Sequence, residues 1–226
     1  MEWLKKLALE ECLQRRLITS EDGLEDLDEL SKETPLFTQA TTGESEAARL
    51  LCQAGADPDF RLEQDASKTA LYRCVEMGFF EVVGVLLDQK ADPNIHEAER
   101  GTGLLHIAAL NGQQEVAQRL LTGGANPNLQ DKSGSGPLHW AAENGQQEVV
   151  QRLLAGGANR NLQNENGDTP LHCAGYAGHL EAARVLLVAH AAVDVRNTHG
   201  WTLLKWAQEC NKPQLVELLR QHGATD

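Results

Sequence analysis

The stretch Asp131-Lys132-Ser133-Gly134-Ser135-Gly136-Pro137-Leu138-His139-Trp140-Ala141-Ala142-Glu143-Asn144-Gly145, continued by Gln146-Gln147-Glu148-Val149-Val150-Gln151-Arg152-Leu153-Leu154-Ala155-Gly156-Gly157-Ala158-Asn159, decides the fold. Ser133-Gly134 is a turn in which glycine is free to take positive φ. Pro137 suits the first position of a helix, where its missing N–H would be unpaired anyway. Ala141-Ala142 keeps that helix thin. Gly145 ends it in the left-handed conformation. Val149, Val150, Leu153 and Leu154 then form one apolar stripe of a second helix, which Gly157 closes. The unit is two antiparallel helices and an extended loop.

The unit recurs. Leu105, Leu138, Leu171 and Leu204 are 33 residues apart, and Leu71 and Leu36 continue the series upstream at 34 and 35. A fixed period in this range means stacked supersecondary units rather than one closed core. The two helix stops keep the register. The first reads Gly43, Gly78, Gly112, Gly145, Gly178, Asn211, and the second Gly55, Lys90, Gly124, Gly157, His190, Gly223. Lys90 and His190 depart from glycine, at about 1 kcal/mol of backbone strain each if the geometry is kept.

These residues resemble the ankyrin repeat. Thr169-Pro170-Leu171-His172 is that family's tetrapeptide in full, Gly136-Pro137-Leu138-His139 differs at one place, and four weaker versions begin at Thr34, Thr69, Gly103 and Thr202. Glu81-Val82-Val83, Glu115-Val116-Ala117 and Glu148-Val149-Val150 repeat the second-helix signature. The resemblance implies an all-α repeat solenoid: a right-handed stack of helix pairs whose loops project as β-hairpin fingers, with a concave face of fingers and first helices that binds proteins. Six repeats are expected, at 29–63, 64–97, 98–130, 131–163, 164–196 and 197–226. In the last, Lys205 replaces the histidine and Arg220 a leucine, as a wettable C-terminal cap requires. Extra residues near Leu62-Glu63 and at Glu97 are expected to enlarge two fingers. Residues 1–28 read as an N-terminal capping helix, with Trp3, Leu4, Leu7, Leu13 and Leu17 on one side, and an acidic segment, 21–29, carrying Leu24 and Leu27.

Composition narrows the function. A formal net charge of −13 opposes non-specific nucleic-acid binding and docking on anionic membranes. Five cysteines without a CxxC pair make neither a disulfide framework nor a zinc ligand set. The N-terminus does not read as a signal peptide and no apolar run reaches membrane-spanning length. A reducing compartment, cytoplasm or nucleus, is expected. His106, His139 and His172 recur at the period, but equivalent positions on packed helices lie about 10 Å apart, too far to share a zinc ion. Each is expected to serve its own helix start. No nucleophile has a base and a pocket, and no phosphate or dinucleotide fingerprint occurs. The chain is therefore expected to be no enzyme, to need no cofactor or metal, and to act as a monomer that binds another protein or an extended peptide, as an adaptor, inhibitor or scaffold. The alternative is a regulatory module of a larger enzyme, channel or ubiquitin-ligase adaptor.

If the family geometry holds, the binding face includes Arg73, Met77, Arg100, Ile107, Leu110, Trp140, Glu143, Tyr176, Trp201 and Trp206, with Thr102 and Ser135 also turned to it. Trp201 and Tyr176 are the expected anchors, since aromatic residues dominate interface hot spots; Trp140 and Trp206 are divided between contact and core. The resemblance adds Asn94, Asn128 and Asn161, each with a leucine eight residues earlier, as similar to ankyrin asparagines modified by an asparaginyl hydroxylase. The competing reading is an asparagine bonded to the finger backbone.

Overall fold

The structure, a computed structural model, describes residues 2–15, 17–18, 34–61 and 69–225. The acidic segment 21–29 and the insertion at Leu62-Glu63 fall outside the described residues. Helix α1 (Glu2–Gln14) is followed by six helix pairs: α2 (Pro35–Thr41) with α3 (Ser45–Ala54), α4 (Ala70–Met77) with α5 (Phe80–Asp88), α6 (Leu104–Leu110) with α7 (Gln114–Thr122), α8 (Pro137–Glu143) with α9 (Gln147–Ala155), α10 (Pro170–Ala177) with α11 (Leu180–Val188), and α12 (Leu203–Glu209) with α13 (Pro213–Gln221). Each first helix packs on its pair partner and on the first helices of the adjoining repeats, and the second helices stack likewise from α3 through α11. The result is an all-α solenoid.

These helices are too short to be stable alone, so caps and burial hold them. Thr34, Thr69 and Thr202 accept the backbone N–H three residues on, from Phe37, Tyr72 and Lys205, each cap worth about 1 kcal/mol. All twelve helix-stop positions take positive φ, including Lys90 at 72°, His190 at 62° and Asn211 at 52°. At Gly145 (φ 68°) a Cβ would also lie 2.6 Å from His179 Nδ1, so both conformation and space demand glycine there.

The core is one contiguous cluster through the whole stack. First helices give it Leu36, Leu71, Leu105, Leu138, Leu171 and Leu204; second helices give Leu51, Leu86, Leu120, Leu153, Leu186 and Leu219, none more than 4% exposed. Each such burial contributes about 1.5–3 kcal/mol. Small residues set the spacing between repeats. Ala141 and Ala142 are fully buried, and a Cβ on Gly175 would meet Leu203 Cδ1 at 2.7 Å.

Helix α1 packs on α3. Among the described side chains Ala8 and Cys12, one helical turn apart, are buried and Leu9 packs partly against the core, while Leu7 is 48% exposed. Leu7 therefore does not share the inward side expected for it, and the side chains of Trp3, Leu4 and Leu13 lie outside the described ones. Lys205 and Arg220 in the last repeat are exposed.

The fingers are tight turns rather than paired strands. Among the described residues the single β-bridge is His96 with Gly103. Later fingers close from the N–H of Asp131, Asn164 and Asn197 to the C=O of Ser135, Asp168 and Trp201, with a second bond inside each turn from the N–H of Gly134, Gly167 and Gly200 back to the C=O of Asp131, Asn164 and Asn197. The third finger closes from Glu97 to Thr102, one residue wider, as the extra residue there requires. Neighbouring fingers are tied by Lys132 to Arg100, Glu165 to Ser133 and Thr198 to Asn166, N–H to C=O.

Candidate functional site: the face of fingers and first helices

Three polar residues at the 33-residue period build the fingers. The side-chain oxygen of Asp131 accepts the N–H of Ser133 and of Ser135. Asn164 does the same for Asn166 and Asp168, and Asn197 for His199 and Trp201. Asp131 takes two further bonds, from the Ser133 hydroxyl at 2.7 Å and the Trp140 indole N–H at 2.9 Å. Burial opposes its ionised form, but the bonds from Ser133 and Trp140 outweigh it and hold the carboxyl below the usual range. The 33-residue spacing of these three residues was the available signal.

The histidines lie behind the fingers. Nδ1 of His106 and His139 accepts the N–H of Gly103 and Gly136, at 3.1 Å each, while the histidines' own backbone N–H groups, which a threonine hydroxyl would take, go to the Gly103 and Gly136 C=O. Nε2 must then carry the proton, and it donates across the repeat boundary to Ser135 C=O at 3.0 Å and Asp168 C=O at 3.1 Å. The histidines thus join successive repeats as well as capping their own helices. His172 differs. Thr169 meets its Nδ1 through hydroxyl and N–H, but Nε2 has no hydrogen-bond partner; the carbonyls of Trp201 and Val195 face it without reaching hydrogen-bond geometry. Burial lowers the pKa of all three. No three His, Cys, Asp or Glu side chains come together as metal ligands among the described residues.

On the open side, Met77 is 52% and Leu110 43% exposed, while Glu143 and Arg100 are exposed. Arg73 is half-buried and ion-paired with Glu76. Ile107 is 8% exposed and belongs to the core, so it is corrected from face residue to packing residue. Thr102 and Ser135 are buried as well. Trp140 stands edge-on to His106, centroids 5.6 Å apart; with its N–H tied to Asp131, its ring is fixed in place. Tyr176 meets Trp206 at 4.7 Å and His172 at 5.8 Å, both edge-to-face. Its hydroxyl donates to Asp168 at 3.1 Å, and burial with the Asp168 charge pushes its pKa up. Trp201 is half-buried under the Lys205 ammonium, 5.0 Å from the ring centroid. Burial, aided by the Glu143 and Asp168 charges, pushes Cys173 up to about 12.

Away from this face runs a ladder. The side-chain oxygens of Asp59, Asn94, Asn128, Asn161 and Asp194 accept the N–H of Asp92, Asn126, Asn159, Ala192 and Thr225 in the next repeat, at 2.9, 2.8, 2.6, 2.8 and 3.3 Å. Asn128 also donates to Gly157 C=O. These asparagines bond the loop after the next second helix, not the finger.

A sequence model of ankyrin repeats in three copies matches residues 6–97, 105–198 and 138–226. The chain belongs to the ankyrin-repeat family, whose repeats form protein-interaction modules. Similar proteins include NF-kappa-B inhibitor alpha from Homo sapiens, 30% identical over 105 residues (44% of this chain, 32% of that protein), and from Sus scrofa, 35% identical over 105 residues (44% and 33%). A putative E3 ubiquitin-protein ligase, XBAT35 of Arabidopsis thaliana, is 30% identical over 98 residues (43% and 21%). The matched segments span a third or less of the length of these relatives.

Proposed function

We propose that the chain is a non-enzymatic binding module whose fingers and first helices grip another protein or an extended peptide, as an adaptor, inhibitor or scaffold. One observation carries this reading. Met77 and Leu110 are exposed and Tyr176, Trp201 and Trp206 half-buried, so apolar or aromatic surface stays open on the fingers and first helices of the second, third, fifth and sixth repeats. Such surface marks contact sites. The names of the relatives, an inhibitor and a ligase, agree with a role exercised on other proteins. A regulatory module within a larger enzyme is the second reading, favoured by the small share of the ligase-type relative that the match spans. The acidic balance supports a partner that is neither nucleic acid nor membrane, and no helix among the described residues is long and apolar enough to cross a bilayer. Five free cysteines, Cys210 exposed, support a reducing compartment, cytoplasm or nucleus. The module acts as a monomer in this reading.

The test is capture of partners from cell extract by the chain, by a Leu110→Ala/Trp201→Ala variant and by an Arg119→Ala/Val188→Ala control on the second helices, all matched by thermal melting. Loss only in the first variant is expected. Loss only in the control refutes the reading. Hydroxylation at Asn94, Asn128 and Asn161 is a separate proposal; intact mass of the protein from cells, showing an added oxygen or none, decides it.

A further inference from the structure

We propose that the Asp168–Tyr176–Trp206 corner of this face is a receptor for a basic side chain, arginine in preference to lysine, carried by an extended segment of the partner. The inference rests on the reading of the face given above and specifies what it recognises.

Asp168 is half-buried, and its Oδ1 accepts the Tyr176 hydroxyl at 3.1 Å and the Asn197 amide at 3.1 Å. The Asn197 amide also reaches the Tyr176 oxygen at 3.2 Å. Two neutral donors therefore fix the carboxylate without neutralising it. The ion pairs Arg15–Glu11, Arg49–Glu46, Arg73–Glu76 and Arg184–Glu181 join residues three or four apart, and none of them involves Asp168. The carboxylate is thus held in place by neutral donors and half open to solvent, where a cation can approach it.

Tyr176 lies between this carboxylate and the Trp206 ring, 4.7 Å away. Aromatic walls beside an anchored carboxylate suit a guanidinium, which stacks on rings and donates to carboxylates in one plane; an ammonium does only part of this. The finger already shows the affinity at work, since the Lys205 ammonium sits over the Trp201 ring. The surrounding charge agrees. Glu143, Glu165 and Glu209 on the same side are exposed and outnumber the exposed Lys132 and Lys205 there, and the charges of Glu143 and Asp168 both act on Cys173. A cation approaching from solvent is drawn to this half of the face.

The probe is a randomised twelve-residue peptide library panned against the full chain, with retained peptides sequenced and their affinities measured at low and high salt. Two folded variants accompany it: Asp168→Asn, which removes the charge, and Tyr176→Phe, which keeps the ring and removes one of the two donors that hold the carboxylate. Arginine enrichment is expected, with affinity falling about tenfold or more in Asp168→Asn and less in Tyr176→Phe. Peptides that need Leu110 and Trp201 but show no basic preference, or bind Asp168→Asn equally, overturn this inference and leave the face as the binding side. Failure to select any peptide that depends on the face overturns both.

Discussion

Acidification should loosen the stack in a window set by its buried histidines, with a slope that counts them. In the folded chain His106 and His139 are neutral, with Nδ1 accepting from Gly103 and Gly136 and Nε2 donating across the repeat boundary; His172 has the Nδ1 half of that arrangement. A second proton would have to enter at Nδ1, against a backbone N–H already pointing there. The folded pKa values lie below the ordinary 6.5, with burial the main cause. The unfolded chain thus binds protons first as pH falls. Stability is complete above about pH 7 and is lost progressively below about 6.5 until each folded histidine itself titrates. At full slope each histidine removes about 1.4 kcal/mol per pH unit, and the three together about 4. Asp131 is shifted in the other sense relative to its charged form, below 3.8, so its contribution fades only near pH 4, outside this window. Urea denaturation followed by tryptophan fluorescence between pH 7.5 and 5 measures the slope. His139→Gln retains an amide that can accept and donate but does not titrate, so it should lower stability at pH 7.5 and flatten the slope by about one third. An unchanged slope in that variant would refute the assignment.

Asn128→Ala removes the acceptor of the Asn159 N–H and the donor to Gly157; at about 0.5–1.5 kcal/mol per bond, urea denaturation should show a loss of about 1–3 kcal/mol. Lys90→Gly relieves a side chain held at φ 72° and should raise stability by up to about 1 kcal/mol, read as a higher denaturation midpoint; a fall would show that the lysine contributes more than its strain. Cys74 is buried, donates to Ala40 C=O at 3.3 Å and is pushed up to about 12 by burial, so a thiol reagent at neutral pH should label exposed Cys210 at once and Cys74 only after unfolding.

The helix stops could be read from sequence because positive φ leaves a compositional mark: glycine or asparagine at ten of the twelve positions, with Lys90 and His190 placed by register alone. The core leucines follow from the same period. The open side was harder. Ile107 and Leu110 are both apolar on the same short helix, yet one is in the core and the other faces out; only the angle around the axis separates them, and composition does not encode it. The polar residues were harder again. Asp131, Asn164 and Asn197 are polar finger residues whose oxygens are spent on backbone N–H groups. Asp59 and Asp194 differ from the three asparagines in residue type but not in place, since the steps 59, 94, 128, 161, 194 repeat the 35, 34, 33, 33 spacing of the leucines. The histidines were assigned to their own helix starts; their bonds to the next repeat involve carbonyls of Ser135 and Asp168, whose identity the side chain does not reveal.

The ladder from Asp59 to Asp194 runs in one direction: a side chain on one repeat, a backbone N–H on the next. Damage to a rung is therefore felt downstream of the altered residue. Removing the Asn94 side chain strands the amide of Asn126, and removing that of Asn161 strands Ala192. Amide exchange in such variants should quicken one repeat after the substitution, so a defect traced by its symptoms alone would be assigned to the wrong unit. The sequence of each repeat, in this respect, is written partly for the benefit of its successor.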